Sequence, residues 1–350
     1  MQTLRYQIRG ATLADEPGLL ELAGFLDSVN LPNKSDEIAP ILTWSEKSFA
    51  QVIPDPADHR YTFILEDTNA GRAVATSMVL GQLGRRDAPY IYLDVREEER
   101  YSASLDQHLV HKVLQIRYSY RGPTEIGGLV SHPDYRRSTQ RIGSMIAYVR
   151  FLWIAMHRDR FQDEVLAELM PPLSPDGTSH LWEALGRHFT GMSYREADRL
   201  SSQNKEFIRG LFPDGDIYAS LLSERAQEVI GKVGPETRGV EKLLRRIGFR
   251  YVHRIDPFDG GPHFVAPTDE ISLVAGARPF YAKFGKAGSQ MALVGCSYDR
   301  SPWFRAVPAS IELPDPGTLT EPALSLPHEV MDHLELTEGD PVWALTMDTR

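Results

Sequence analysis

The sequence predicts an α/β (α+β) protein in which a mixed sheet is flanked by helices. Short β-rich apolar runs bounded by turn residues alternate with segments whose apolar residues recur at helical spacing. In addition, 42% of the 350 residues are hydrophobic and 25% are charged. These shares are typical of globular proteins and exclude a disordered, collagen-like or coiled-coil chain. By length, about two domains are expected.

The first half of the chain is predicted to run strand, helix, three strands, helix, strand, helix. The first strand covers residues 4–9, where apolar and polar residues alternate, and the first helix begins near Pro17, because proline and acidic residues favour helix starts. Turn residues between two β-rich runs predict a hairpin. The other elements are the hairpin strands over 61–66 and 73–80, a strand over 126–130, a helix over 142–157, a strand over 165–169 and a helix over 179–189.

The second half is predicted to echo part of the first. Apolar helical segments end at a glycine twice, at Gly186 and at Gly248, which is a weak sign of duplication. After Pro262 the chain is rich in proline and short β-like runs, and residues 334–345 predict a turn between two strands. We therefore predict a lobe over residues 1–200, a second, related lobe over 201–264 and a β-rich segment over 265–350.

Charge and cysteine content narrow the class of partners. With 38 basic and 48 acidic residues the formal net charge is −10, which disfavours general binding to nucleic acid or anionic lipid. No apolar run approaches the roughly 18 residues of a membrane span, and the N-terminal residues lack a signal-peptide pattern. Cys296 is the single cysteine, which fits a reducing compartment. We expect a cytoplasmic protein that binds neither nucleic acid nor membrane.

A basic loop at the start of the helix predicted over 142–157 is the most informative segment. Free backbone N–H groups at a helix start, the positive end of the helix dipole and a glycine without Cβ together favour a bound pyrophosphate. An acyl carrier such as coenzyme A presents that group; the alternative is an ordinary solvated helix start. The candidate carrier-binding residues in this loop are Arg136, Arg137, Gln140, Arg141, Gly143 and Ser144.

Carboxylates on or near apolar strands are candidates for proton transfer and for holding a cationic substrate. Glu168 lies inside an apolar run, where it either faces a cleft or stands on an exposed strand face. Asp259 lies in an acidic, glycine-rich loop that either binds a guanidinium or forms a turn. The eleven histidines show no metal-ligand spacing, so no metal is predicted.

Several stretches in order along the chain resemble one known family. They include Tyr61–Asp67 (YTFILED), residues 124–129 (TEIGGL) with Pro133–Arg136 (PDYR), Gly248–Arg250 (GFR) and Phe258–Pro262 (FDGGP). Over most of its length the chain resembles the arginine N-succinyltransferase family, which has the GNAT acyltransferase fold. A GNAT-like, acyl-CoA-binding lobe is thereby implied for residues 1–200, and a partly GNAT-like lobe for 201–264.

The resemblance implies transfer of a succinyl group from succinyl-CoA, as co-substrate, to the α-amine of arginine. Leu129 occupies the position that contacts succinyl-CoA in this family, and Val130 is expected to share that strand edge. The basic loop would hold the pyrophosphate. Asp198, within a further matching stretch, and Asp259 are predicted to bind the cationic amine substrate.

Departures from the family pattern concern proton transfer and substrate recognition. The family's proton-handling histidine falls on Gly234, which has no side chain to move a proton. Glu168, Glu236, His132 or a water must then replace it. Met170-Pro171 stands where the family has Arg-Gly, and the family's N-terminal motif is altered at residues 27–32.

Two other functions therefore stay open. The chain is either an acyltransferase for a different amine, or a non-catalytic partner subunit of a heteromeric succinyltransferase. In each case we expect a homo- or hetero-oligomer.

Overall fold

The computed structural model describes residues 4–25, 31–85, 88–136, 139–201, 204–313 and 322–347. It is a mixed α+β structure with mostly antiparallel strands and flanking helices, which confirms the predicted fold class. The chain divides into two compact units. The first comprises residues 1–81, 124–163 and 268–350, and the second comprises 82–123 and 164–267. Strands and helices are numbered along the chain.

The first unit is built on a sheet in the order β14-β11-β15-β12-β13-β1-β2-β3-β6. Neighbouring strands are antiparallel except β11 and β14, which are parallel. Its strands are β1 (Tyr6–Gly10), β2 (Arg60–Asp67), β3 (Arg72–Leu80), β6 (Thr124–Ser131), β11 (Arg278–Phe284), β12 (Gln290–Ser297), β13 (Phe304–Ile311), β14 (Ala323–Leu326) and β15 (Pro341–Thr346). Its helices are α1 (Glu16–Ala23), α2 (Ser35–Phe49), α3 (Ile142–Met156), α10 (Ser272–Gly276) and α11 (His328–His333).

Helix α3 is the central helix of the first unit. From Met145 to Ile154 every residue is buried, including Arg150, so this helix is covered on all sides, as expected for a helix inside a core. Trp153 packs edge-on against Phe49 and Phe304, with ring centroids 5.1 and 5.0 Å away. The Ser77 hydroxyl of β3 donates to the Ile146 carbonyl oxygen at 2.8 Å. These contacts fix the helix in the core of the first unit.

The second unit has an antiparallel sheet in the order β7-β10-β9-β4-β5-β8. Its strands are β4 (Tyr90–Ser102), β5 (Gln107–Ser119), β7 (Glu164–Glu168), β8 (Ile217–Tyr218), β9 (Arg250–Ile255) and β10 (Pro262–Pro267). Its helices are α4 (His180–Ala184), α5 (Gly186–Thr190), α6 (Tyr194–Ser201), α7 (Glu206–Leu211), α8 (Glu224–Val229) and α9 (Arg238–Arg246). Trp182 and Phe258, stacked 5.1 Å apart, lie in its main core.

Side chains of the paired strands β7 and β10 share one face of the second unit's sheet. Leu166 of β7 is directly opposite Val265 of β10, and both pack with Tyr90 in a small cluster. Because strand side chains alternate between faces, Glu168 and His263, two residues further on, lie on that same face. They are also directly opposite each other in the register.

Most predicted elements of the first half are present within a residue or two of their predicted bounds, including the β2–β3 hairpin. Three predictions were wrong. The segment predicted helical over 179–189 is two short helices, and Gly186 begins α5 rather than ending a helix. The segment 334–345 is not a turn between two strands, because α11 precedes it. Helix α2 and the β4–β5 hairpin were not predicted at all.

The two units do not follow the predicted boundaries at residues 200 and 264. The β-rich C-terminal segment supplies five strands of the first unit's sheet, and β13 pairs directly with β1. The β4–β5 hairpin, although it lies early in the chain, belongs to the second unit. Strand pairing, which is not visible in composition, decides this division. Across the described residues, no helix is both long and apolar enough to cross a membrane.

Candidate functional site

Strand β6, which contains the predicted carrier-contact residues Leu129 and Val130, is bulged. Thr76 pairs with Val130 and Met78 pairs with Gly127, so two residues of β6, Gly128 and Leu129, stand opposite one residue of β3. Gly128 has φ of +55°, a conformation that glycine adopts without strain. A bulge interrupts the ladder and redirects the strand, and bulges are common beside active sites. Leu129 is half-buried and Val130 is buried.

Gly128→Ala is expected to destabilise the first unit. An added Cβ would lie 2.9 Å from Cγ and Sδ of Met78, and a side chain at positive φ adds strain. We expect a loss of about 1–3 kcal/mol in the free energy of unfolding, measured by urea denaturation. Gly143→Ala is the matched control, since a Cβ at Gly143 has nothing within 4 Å. Equal stability of the two variants would contradict this account of the bulge.

The basic loop ends at the start of α3, as predicted. Arg141 is the residue before the helix, with φ of 57°, and its carbonyl oxygen accepts the N–H groups of Ser144 and Met145 at 2.9 and 3.0 Å. The first turn has no acidic residue, and no described side chain caps it. Gly143 is exposed and Ser144 half-buried. This helix start can therefore accept an anion.

The remaining side chains of the loop are directed differently. Arg136 is exposed, and its Nε donates to the Ser131 carbonyl oxygen at 3.0 Å, which keeps it beside the end of β6. Gln140 and Arg141 are exposed. The predicted contact residue Arg137 lies outside the described residues.

His132, a predicted proton acceptor, has a structural role. It is 8% exposed, and its Nδ1 accepts the N–H of Asp134 at 3.3 Å, which caps the short 3-10 turn Pro133–Tyr135. The ring packs edge-on against Phe25 at 5.1 Å, and Nε2 lies 3.4 Å from Oε1 of Glu21. These contacts hold the imidazole inside the first unit.

In the second unit, Glu168 lies beside a histidine that sequence reasoning did not select. Oε1 of Glu168 is 3.4 Å from Nε2 of His263, and the Glu168 side chain is 33% exposed while His263 is 0% exposed. Nδ1 of His263 is 2.6 Å from the Tyr90 hydroxyl. Among the described residues, Nε2 of His263 has no hydrogen-bond partner. Burial lowers the pKa of His263 to about 3, helped by the charges of Arg254 and Lys205, so the ring is neutral near pH 7.

Two aspartates near this histidine form a turn rather than an open binding site. Asp256 accepts the N–H groups of Phe258 and Asp259, and Asp259 accepts the N–H of Gly261 at 2.7 Å. Burial raises the pKa of both carboxyls, and for Asp259 the Asp256 charge adds to it. Asp259, predicted to bind substrate, thus takes the turn role that was the alternative. Asp198 is a half-buried residue of α6 whose charge also raises the pKa of Asp259.

Gly234 and Met170, the positions where the sequence analysis expects departures from the family pattern, touch each other. The N–H of Gly234 donates to the Met170 carbonyl oxygen at 2.8 Å. A Cβ at Gly234 would lie 2.8 Å from the Pro171 carbonyl oxygen and 2.9 Å from that of Met170. The backbone therefore leaves no room for a side chain at this position. Glu236, another candidate, is an exposed residue of the adjoining 3-10 turn.

The structure also shows two features that no sequence pattern indicated. Ligand atoms of Glu168, Asp256 and His263 lie within 4.8 Å of one another, although the histidine spacing predicted no metal set. A cleft of about 630 Å³ lies in the second unit and contains none of the predicted site residues. It is lined by Ser174, Pro175, Asp176, Thr178, His180, Glu183, Arg187, Ser193, Tyr194, Arg195 and Arg225.

Comparisons with known proteins agree with this architecture. Residues 6–273 match the family model described as "Arginine N-succinyltransferase beta subunit". The arginine N-succinyltransferase subunit beta of Pseudomonas aeruginosa is 34% identical over 284 residues, 80% of this chain and 82% of that protein. The arginine N-succinyltransferase of Salmonella arizonae is 31% identical over 77% of this chain and 78% of its own length.

A solved structure extends the similarity to the whole chain. The arginine/ornithine succinyltransferase subunit AI from Pseudomonas aeruginosa superposes with a TM-score of 0.82 at 28% identity, covering 99% of both chains. The family match and this full-length likeness cover both units of the structure. The chain therefore belongs to the arginine N-succinyltransferase family.

Proposed function

We propose that this chain is an acyltransferase that moves a succinyl group from succinyl-CoA to the α-amine of arginine or a related amine. The observation that carries the proposal is the bulge at Leu129 followed by the acid-free helix start at Arg141, in a chain of this family. The helix start would bind the pyrophosphate of CoA. The interrupted ladder at Leu129 would leave backbone N–H groups for the thioester oxygen.

The reaction needs one bond formed, one broken and a place for protons. The substrate ammonium first loses a proton, and the neutral nitrogen then attacks the thioester carbonyl carbon. The C–S bond breaks, and CoA leaves as a thiolate with the electron pair. The amide nitrogen loses a second proton and the thiolate gains one, so the products are the amide, CoA thiol and one proton released.

We propose Glu168 as the acceptor of the first proton. Of the three candidates, His132 is held by its cap and its aromatic neighbours, and Glu236 stands exposed on a 3-10 turn. Glu168 is part-exposed at the end of a buried strand and adjoins a neutral imidazole. A base must be reachable by substrate, and the part-exposed Glu168 side chain meets this condition.

The test is CoA release from succinyl-CoA or acetyl-CoA with arginine, with ornithine and with no acceptor, products identified by mass. Succinylarginine formed with release of CoA would support the proposal. Release with another amine alone would redirect it to a different acceptor. Failure to bind any CoA ester by calorimetry would overturn it and favour a non-catalytic partner subunit.

Two Pseudomonas aeruginosa relatives are named as subunits, which supports an oligomer of like or related chains.

Arg141→Gln is expected to weaken carrier binding without slowing the chemical step. Removing one charge-assisted contact to the pyrophosphate costs about 1.5–3 kcal/mol, or roughly 10- to 100-fold in Kd. Calorimetry with CoA at two salt concentrations measures this, because the loss should shrink at high ionic strength. Arg278→Gln, an exposed arginine of β11, is the control. An unchanged Kd for Arg141→Gln would remove this residue from the carrier site.

A further inference from the structure

We propose that His263, backed by Tyr90, is a positioning residue that orients Glu168 for proton transfer; this rests on the proposed function. The three side chains come from three strands, β7, β10 and β4, and share one face of the second unit's sheet. The ring is 0% exposed, whereas the Glu168 side chain is 33% exposed. Only the carboxylate can then meet a substrate.

The hydrogen-bonding capacities of the three groups are consistent with a ring proton on Nε2, the tautomer that this proposal requires. A carboxylate can only accept, whereas a tyrosine hydroxyl can donate. With the Tyr90 hydroxyl donating to Nδ1 at 2.6 Å, the single proton of the neutral imidazole is on Nε2. That N–H lies 3.4 Å from Oε1 of Glu168. Catalytic hydrogen bonds are often long without substrate and shorten in the complex.

The backbone around His263 supports a held ring. Strand β9 is bulged opposite His263, and His253 in the bulge has φ of 55°. The Tyr90 ring stacks on the imidazole at 5.6 Å and 28°. Two pairing strands and a stacked phenol therefore hold the ring 3.4 Å from a carboxylate whose side chain stays in reach of solvent.

A bound metal ion is the competing explanation for this cluster, and the local charges disfavour it. Glu168 and Asp256 supply the negative charge. Arg254 and Lys205 are near enough for their charges to depress the pKa of His263, and Lys205 also acts on Asp256. These two cations lower the negative potential that a divalent ion would meet, and chelation followed by addition of Zn²⁺ tests this explanation directly.

The test compares two substitutions of His263 in the full-length protein. His263→Leu removes the donor and should lower kcat about 10- to 100-fold, the effect of one hydrogen bond to a charged group, with KM for succinyl-CoA unchanged. His263→Gln keeps a donor and should restore most of the loss. His157→Leu is the control, since that ring is half-buried and also neutral, with its pKa lowered to about 3, but lies in the first unit.

Two further measurements separate the outcomes. Nitrogen NMR of the imidazole ring should show the proton on Nε2 and a shift of its signal in Glu168→Gln, a result that stands even if no amine is acylated. A proton on Nδ1, or an unchanged kcat in His263→Leu, would overturn the proposal. Loss of activity on chelation with recovery by Zn²⁺ would overturn it in favour of a metal site. Melting curves identify a variant that fails to fold. If His263→Leu fails to fold, the imidazole signal of the unsubstituted protein decides instead.

Discussion

Glu168→Gln is expected to lower kcat for amine acylation by about 100- to 10,000-fold, the range that a positioned general base contributes. The amide keeps the size of the carboxylate and its place opposite His263 in the register, but it cannot accept the substrate proton. KM for the acyl-CoA should change little, because the predicted carrier residues lie in the first unit. Steady-state release of CoA with the preferred amine measures the effect.

Glu164→Gln is the matched control for this substitution. Glu164 is an exposed glutamate at the other end of the same strand, so the change removes an equal charge from β7 without touching His263. Its kcat should stay within a factor of about two, as for an ordinary surface change. Equal activity of the two variants would exclude Glu168 as the base. Raising the pH should partly rescue Glu168→Gln, because more of the amine is then already neutral.

Gly234→His is expected to destabilise the protein and to restore no activity, although it reinstates the residue type that the family resemblance places there. The Cβ alone would lie 2.8 and 2.9 Å from two backbone carbonyl oxygens, and the hydrogen bond from the Gly234 N–H to Met170 would be strained. Overpacking of this kind costs about 1–3 kcal/mol, and the bulk of the ring adds to it. Urea denaturation measures the loss.

Two comparison variants make this prediction specific. Gly239→Ala, in the neighbouring helix where a Cβ has nothing within 4 Å, should be neutral or slightly stabilising. Adding Met170→Arg and Pro171→Gly to Gly234→His should recover stability, because the flexible glycine lets the opposing carbonyl move away. If Gly234→His is as stable as the parent protein, steric exclusion does not explain the glycine.

Most elements of the first unit could be predicted from the sequence, and there are physical reasons why other elements were missed. The β2–β3 hairpin, β6 and α3 are buried elements, so their apolar patterns are strong. The outer half of the β4–β5 hairpin has consecutive charged side chains from Glu97 to Arg100, all exposed except the half-buried Glu98. Such a segment has no apolar alternation to show that it is a strand.

The candidate site also has one part that could be predicted from the sequence and one part that could not. The helix start after Arg141 could be predicted because helix-start chemistry is local, within a few residues. The contacts of Glu168 could not, because its neighbours Tyr90 and His263 are 173 residues apart and meet only through strand pairing. Asp259 was ambiguous because turns and guanidinium sites use the same residues. No fixed spacing in a sequence marks a buried histidine that lies opposite a carboxylate on a neighbouring strand.

The pairing of β1 with β13 determines when the first unit can complete its sheet during synthesis. Ile8 is opposite Ala306, so the N-terminal strand emerges from the ribosome long before its partner. At about 5–20 residues per second, that delay is on the order of 15–60 s. During it, one edge of β1 has no partner, and non-local closure of this kind is slow. The second unit, whose last strand ends at Pro267, can complete its sheet before the first unit does. We therefore expect the second unit to fold first, although the chain begins with a strand of the first unit.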